Sequence, residues 1–136
     1  MKPERPRPTE AELSILRVLW DNGPLSVRAV FKKLNDDAKS SDKVTGYTTV
    51  LKLMQIMTDK GLVARDESCR PQIYRPCDPQ VKTQRQLLSH MLHRVFGGST
   101  RAMVLQALSH KKTSARDLKE IEKLLDRIEA EKGEKK

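Results

Sequence analysis

The chain has 136 residues, enough for one ordinary domain or two small ones but too few for an enzyme built on a large α/β scaffold. Its formal net charge of +9 and isoelectric point near 9.8 favour a polyanionic partner, because each neutralised phosphate releases counterions. Two cysteines are too few for a disulfide framework, and the sequence has neither a signal peptide nor an apolar run of membrane-spanning length. We therefore expect two small domains in a cytoplasmic protein with reduced thiols and no membrane contact of its own.

The positive charge is concentrated towards the C-terminal part of the chain. Between Val81 and Lys112 the sequence holds six basic residues and no acidic residue. Such a stretch can lie along a nucleic-acid backbone, or it can simply be solvated. Composition alone leaves both interpretations open.

Two amphipathic helices are predicted at the start of the chain. Thr9 and Glu12 form a capping-box pattern, in which the hydroxyl accepts from an early N–H group and the carboxylate reaches back. The first helix carries an apolar stripe and ends at a turn sequence: Leu13, Leu16, Leu19, Trp20, then Asn22-Gly23-Pro24. Ser26 caps the second helix, whose apolar residues recur at helical spacing: Val27, Val30, Phe31 and Leu34. Asn35–Lys43 is polar and is predicted to be a loop.

The segment from Val44 to Gly61 is predicted to be the helix that the other elements support. At about 100° per residue, one arc is apolar and consists of Val50, Leu53, Met54 and Met57. The opposite arc is polar and consists of Thr45, Thr48, Lys52, Gln55 and Asp59. Hydroxyl, amide and lysine side chains can reach base edges and phosphates in a DNA major groove, so this arc is the predicted reading face.

A β-hairpin is predicted directly after this helix. Gly61 suits a helix C-cap, and the strands are predicted as Leu62–Arg65 and Gln72–Arg75, the second stopping at Pro76. The tip between them contains Arg70, which is either a phosphate contact or a solvated loop residue. Helix, helix, recognition helix and hairpin in this order predict a winged helix-turn-helix over residues 9–77.

Three further helices are predicted over residues 78–130. Asp78-Pro79 begins a long helix that ends at Gly97-Gly98, Ser99 caps a helix to about Ser109, and Ser114 caps the last one. So short a segment cannot bury its many large apolar side chains alone, so we expect a second copy to cover them. The residues predicted for this dimer contact are Leu88, Met91, Leu92, Val95, Leu118, Ile121, Leu125 and Ile128.

The segments PTEAELSILRVLW, GYTTVLKLMQIMTDKGLV, IYRP and VFGG, in this order, resemble the BlaI/MecI (penicillinase repressor) family. The resemblance implies a mostly α-helical protein with a small β-hairpin wing, a winged helix-turn-helix followed by a three-helix dimerisation domain. It also implies a homodimeric repressor on an inverted-repeat DNA operator, often with TACA/TGTA half-sites, that controls β-lactam resistance or related stress genes. In some members a membrane sensor protease triggers cleavage of the repressor.

Transferred to this sequence, the family's base-reading positions are Thr45, Tyr47, Thr48, Thr49 and Lys52, to which the helical pattern adds Gln55. Two positions depart from the family pattern. Ile56 stands where many members have an arginine, which removes one possible phosphate contact. Val95-Phe96 stands at the expected cleavage position, where the best-studied members have Asn-Phe.

Other functions are less well supported by the sequence. Copper-responsive repressors of the same family are an alternative, but their C-terminal cysteine cluster is absent, and Cys69, Cys77, His90 and His93 fit no standard metal spacing. The sequence has no motif of a phosphate loop, a hydrolase or a metalloprotease, so we expect neither an enzyme nor a cofactor. A winged-helix protein-interaction module is the second alternative. The Thr/Lys/Gln face, which no acid interrupts from Lys43 to Thr58, argues against it, because protein-docking faces usually carry aromatic or methionine anchors.

Overall fold

The computed structural model describes residues 6–37 and 46–134. Within these ranges the chain is mostly α-helical with one two-stranded antiparallel hairpin, as the sequence predicts. The helices are α1 (Glu10–Asn22), α2 (Val27–Asp37), α3 (Tyr47–Lys60), α4 (Gln80–Arg94), α5 (Thr100–His110) and α6 (Ala115–Glu134). The strands are β1 (Val63–Asp66) and β2 (Ile73–Pro76). No helix in the described ranges has the length and hydropathy needed to cross a bilayer.

The packing divides the chain into two compact units. Unit 1 extends to Leu88 and unit 2 begins at Ser89, so the division falls within α4. Unit 1 contains the first three helices and the hairpin, and unit 2 contains α5 and α6. The division at residues 77 and 78 remains a prediction from composition.

Unit 1 is built around a closed apolar core. α1 begins with the predicted capping box: the Thr9 hydroxyl accepts from the Glu12 N–H at 3.2 Å, and the Glu12 carboxylate accepts from the Thr9 N–H at 2.9 Å. The Ser26 hydroxyl caps α2 by accepting from the Ala29 N–H at 3.2 Å. The buried core residues come from all three helices and the hairpin: Ile15, Leu16, Val18, Leu19, Val27, Val30, Val50, Met54, Met57, Leu62, Val63 and Tyr74.

The loop predicted from Asn35 begins later than the sequence suggests. α2 continues to Asp37, and the Asn35 side-chain amide donates to the Phe31 carbonyl at 3.0 Å instead of starting a turn. The prediction that Asn35–Asp37 belong to a loop is therefore wrong. Residues 38–43 of that loop lie outside the described ranges.

The hairpin is present, but each strand lies one residue later than predicted. Gly61, at φ 80°, ends α3 in the left-handed conformation, and the Leu62 N–H donates to the Met57 carbonyl at 2.9 Å. Leu62 therefore belongs to the helix cap, and β1 begins at Val63. The register pairs Val63 with Pro76 and Asp66 with Ile73.

A third segment pairs with the hairpin, which the sequence did not indicate. Leu25, between α1 and α2, exchanges two backbone hydrogen bonds with Tyr74 at 3.0 and 2.8 Å. This bridge fixes the hairpin to the first two helices through the backbone, independently of side-chain packing.

α4 ends earlier than predicted. Its last residue is Arg94, and residues 95–98 form a turn in which the Gly98 N–H donates to the Leu92 carbonyl at 2.8 Å. Gly97 and Gly98 have φ values of 57° and 85°, which side-chain-bearing residues rarely adopt. The two glycines thus end the helix as predicted, but Val95 and Phe96 already lie beyond it.

Unit 2 consists of well-capped helices without a buried core. The Ser99 hydroxyl caps α5 by accepting from the Ala102 N–H, and the Ser114 hydroxyl caps α6 by accepting from the Asp117 N–H. No residue between 89 and 133, all of which the structure describes, is buried. Side-chain caps thus stabilise the N-terminal ends of α5 and α6, but no other described part of the unit buries the apolar sides of these helices.

Candidate nucleic-acid interface

α3 separates a buried apolar side from an exposed polar side. Val50, Met54 and Met57 are fully buried in the core of unit 1, and Leu53 packs against it. The side chains of Thr48, Thr49, Lys52 and Gln55 are exposed. The predicted two-sided helix is confirmed, whereas Thr45 lies outside the described residues.

An ion pair anchors the C-terminal end of α3. The Lys60 ammonium donates to both oxygens of the Glu12 carboxylate, at 3.0 and 2.9 Å. Burial of Glu12 raises its pKa, but hydrogen bonds from the Thr9 backbone and Lys60 outweigh burial and hold the pKa below its usual value. The ionised carboxylate therefore joins the start of α1 to the end of α3.

The N-terminal end of α3 is held by an aromatic contact. Its N-cap, Gly46, supplies no side-chain hydrogen bond. Instead, the Tyr47 ring meets Phe31 edge-to-face, with ring centroids 5.7 Å apart, and the Arg28 guanidinium lies 5.1 Å from the Tyr47 centroid. Tyr47, a predicted DNA contact, thus packs one part of its ring against α2, and 38% of the residue remains exposed.

A groove lies between the start of α2, the start of α3 and the hairpin, with a volume of about 590 Å³. It brings together the predicted contacts Tyr47 and Arg70. It also includes Arg28 and Lys32, which the sequence patterns did not indicate. Their spacing of four residues on the exposed side of α2 was the available signal, but only the fold shows that they face the hairpin.

The hairpin tip is ordered by one aspartate. The Asp66 carboxylate accepts from the Ser68 N–H at 3.0 Å and from the Ser68 hydroxyl at 2.6 Å. These bonds hold the pKa of Asp66 below its usual value.

Cys69 and Cys77 are free thiols, and no cluster of three metal-ligating side chains occurs among the described residues.

The predicted dimer contacts carry much exposed apolar surface. Exposed fractions are 52% for Leu88, 48% for Met91, 49% for Leu125 and 41% for Ile128, while Leu92 and Ile121 are half-buried. On α6 the apolar residues repeat with the spacing of a coiled-coil seam: Leu118, Ile121, Leu125 and Ile128. Such a continuous stripe is unusual on a surface that stays in water.

Comparison with known proteins decides the family. Residues 8–127 match the penicillinase repressor family. The chain belongs to that family. It is also 26% identical over 130 residues to the penicillinase repressor of Bacillus licheniformis, an alignment that covers 95% of this chain and 97% of that protein. The chain is therefore a transcriptional repressor, as its sequence motifs predict.

Both departures from the family pattern now have a structural setting. Ile56 is 37% exposed on the polar side of α3, so an apolar side chain occupies the position where many family members carry a cation. Val95 is 70% exposed and directly follows the last residue of α4. The Val95–Phe96 bond therefore lies in a turn and not within a helix.

Proposed function

We propose that this penicillinase-repressor relative binds an inverted-repeat DNA operator as a homodimer and represses genes of β-lactam resistance or a related stress response. The single observation that carries the proposal is the exposed face of Thr48, Thr49, Lys52 and Gln55 on a helix whose opposite side is fixed in the core. Short hydroxyl and amide side chains on such a helix can hydrogen-bond to base edges in the major groove.

The proposed interface extends beyond α3. Tyr47, and Thr45 before it, complete the base-reading set that the family resemblance indicates. Arg70 on the hairpin and Arg28 and Lys32 on α2 supply cations around the groove beside α3. Contacts of this kind with phosphates would fix the position of α3 on the duplex, while the threonines and Gln55 read the sequence.

In this proposal residues 9–77 bind DNA and residues 78–130 form the dimer contact. Support for the second role comes from the uncovered apolar stripe on α6 and the exposed Leu88, Met91 and Val95. Two linked DNA-binding units bind two half-sites with an effective local concentration in the millimolar range, which raises overall affinity by about 10² or more. Dimerisation would therefore determine whether the protein represses.

The test measures fluorescence anisotropy of a labelled duplex with TACA/TGTA half-sites against a scrambled duplex. Thr48→Ala or Thr49→Ala should weaken binding to the operator by about 10-fold but leave scrambled DNA nearly unchanged, because base contacts carry specificity. Lys52→Ala should weaken both and lower the salt slope by about one unit. Arg116→Ala in α6 serves as the matched charge control.

Equal losses on both duplexes for the threonine variants would refute the reading face. If neither duplex binds at low salt, the protein-interaction module would become the better interpretation.

Release of the operator is proposed to involve the turn after α4, where a membrane sensor protease of the same circuit could act. The exposed Val95 and the two glycines that follow make this the accessible part of the family's cleavage region. In limited proteolysis with mass spectrometry, the first cut should fall between His90 and Arg101. The cut protein should then bind operator as a weak monomer. A first cut within residues 35–43, with the turn resistant until global unfolding, would contradict this mechanism.

A further inference from the structure

The groove beside α3 combines an apolar lining with a rim of positive charge. Its volume of about 590 Å³ lies within the range of small-molecule pockets in proteins. We propose that it binds a small organic anion, a carboxylate or phosphate monoester carried on an aromatic or branched apolar group. We further infer that this ligand competes with DNA, and this regulatory part rests on the proposed function.

The charge of the groove favours an anion. Arg28, Lys32 and Arg70 come from two different elements and line the same groove, and no acidic residue lines it. Among the described residues none of these three cations forms an ion pair. Like charges gathered without a counterion repel one another, so a bound anion would remove an unfavourable term. Gln72 adds an amide that can hydrogen-bond to the same anionic group.

The apolar lining favours a ligand with an apolar body. Val27 and Tyr74 belong to the buried core, Leu51 is half-buried against it, and Pro71 completes the hairpin side. The Tyr47 ring, held in place by Phe31, forms one wall. A phosphodiester needs cations but gains nothing from this apolar surface, whereas an aromatic or branched group would bury it. Val27 and Tyr74 are fixed in the folded core, so this part of the lining is pre-formed.

Competition follows from shared residues. Tyr47 and Arg70 line the groove and are also proposed DNA contacts. A bound anion would offset part of the positive charge of the groove and occupy the space beside the start of α3. The repressor could then release its operator without cleavage, through the DNA-binding unit itself.

The site is tested on the full chain without DNA. The ¹⁵N-labelled protein is titrated with 2-naphthoate and, as the uncharged isostere, with 2-naphthamide. Naphthoate should shift the amide signals of Ala29, Leu51 and Gln72 with a Kd of about 1 mM, the affinity expected for a ligand of about 13 heavy atoms. Naphthamide should bind at least about 10-fold more weakly.

Two charge variants and a matched control locate the site. Arg28→Gln and Arg70→Gln should each raise the naphthoate Kd about 5-fold or more, because each removes a charge-assisted contact. Arg75→Gln removes an exposed arginine of β2 outside the groove lining and should leave the Kd unchanged. Equal binding of the amide, equal losses with Arg75→Gln, or shifts confined to other residues would refute the site.

A second measurement tests competition separately. Naphthoate should displace a labelled operator duplex at concentrations near its Kd, whereas sodium chloride at the same ionic strength should displace far less. If naphthoate shifts the amide signals of the groove but does not displace the operator duplex, the regulatory part of the proposal is refuted. If the protein binds no DNA, the proposed function fails, while the DNA-free titration still decides whether the groove binds anions.

Discussion

Units 1 and 2 differ in whether their apolar side chains are buried within the chain. Unit 1 closes its core within the chain, with Ile15, Val30, Val50, Met54 and Met57 fully inaccessible to solvent. Unit 2 has helices of 11 and 20 residues, and none of its described residues is buried. An isolated helix as short as α5 is only marginally stable in water, and most helical stability in proteins comes from packing of an apolar side. Unit 1 therefore buries its apolar side chains within one chain, whereas unit 2 leaves its apolar sides exposed, which supports the proposed dimer contact.

The largest effect is expected from opening the core of unit 1. Met54→Ala should lower the free energy of unfolding of this unit by about 2–5 kcal/mol, because the side chain is fully buried and its loss leaves a cavity. Urea unfolding followed by fluorescence measures it. Ile56→Ala, two residues further along the same helix but 37% exposed, is the control and should change stability by about 0.5 kcal/mol or less. A midpoint that moved with protein concentration would show that the stability of unit 1 depends on assembly.

A charge on the apolar side of α6 should separate the copies. In Leu125→Asp a carboxylate replaces an apolar side chain of the proposed contact, so the dimer should dissociate and operator affinity fall by about 10². Sedimentation velocity and anisotropy measure the two effects. Ala130→Asp adds the same charge to the same helix, away from the Leu118–Ile128 stripe, and should remain dimeric. If both variants stay dimeric, the copies associate elsewhere.

A smaller effect is expected at the tie between α1 and α3. Lys60→Met should cost about 1.5–3 kcal/mol near pH 7, because it leaves the buried Glu12 carboxylate without its charged donor. Lys52→Met, on the exposed side of the same helix, is the control and should cost little. Indistinguishable unfolding curves for the two variants would show that the ion pair contributes nothing to stability.

The pH dependence of this effect has a defined sign. The pKa of Glu12 is lowered by folding, so its contribution is fully present above the unfolded value of about 4.5 and is lost as pH falls through the lower folded value. The difference between the native protein and Lys60→Met should therefore shrink as the pH falls below about 4.5. A constant difference over that range would assign the effect to packing of the lysine side chain.

Local sequence signals predicted much of unit 1. The capping box of Thr9 and Glu12, the two-sided pattern of α3 and the stop at Gly61 depend on neighbours within a few residues, which a periodic pattern records. The one-residue displacement of the hairpin arose because Leu62 takes part in the helix cap, a competition that composition does not show.

Long-range contacts could not be predicted in this way. Lys60 meets Glu12 across 48 residues, and Leu25 pairs with Tyr74, so neither contact leaves a periodic trace. Arg28 and Lys32 read as ordinary exposed residues of a short helix. Only the folded arrangement places them in one groove with Arg70. The α3 residues of the proposed site could therefore be predicted from the sequence, whereas its α2 residues could not.

The only tryptophan offers an optical consequence. Trp20 belongs to unit 1, where its indole N–H donates to the Asp78 carbonyl at 3.2 Å, and both tyrosines, Tyr47 and Tyr74, belong to the same unit. Near-ultraviolet absorption and emission of the native chain thus come almost entirely from unit 1, whereas far-ultraviolet circular dichroism records the helices of both units. One unlabelled sample can therefore give two melting curves, one for unit 1 and one for the whole protein. If the proposed dimer stabilises unit 2, dilution should separate the two curves.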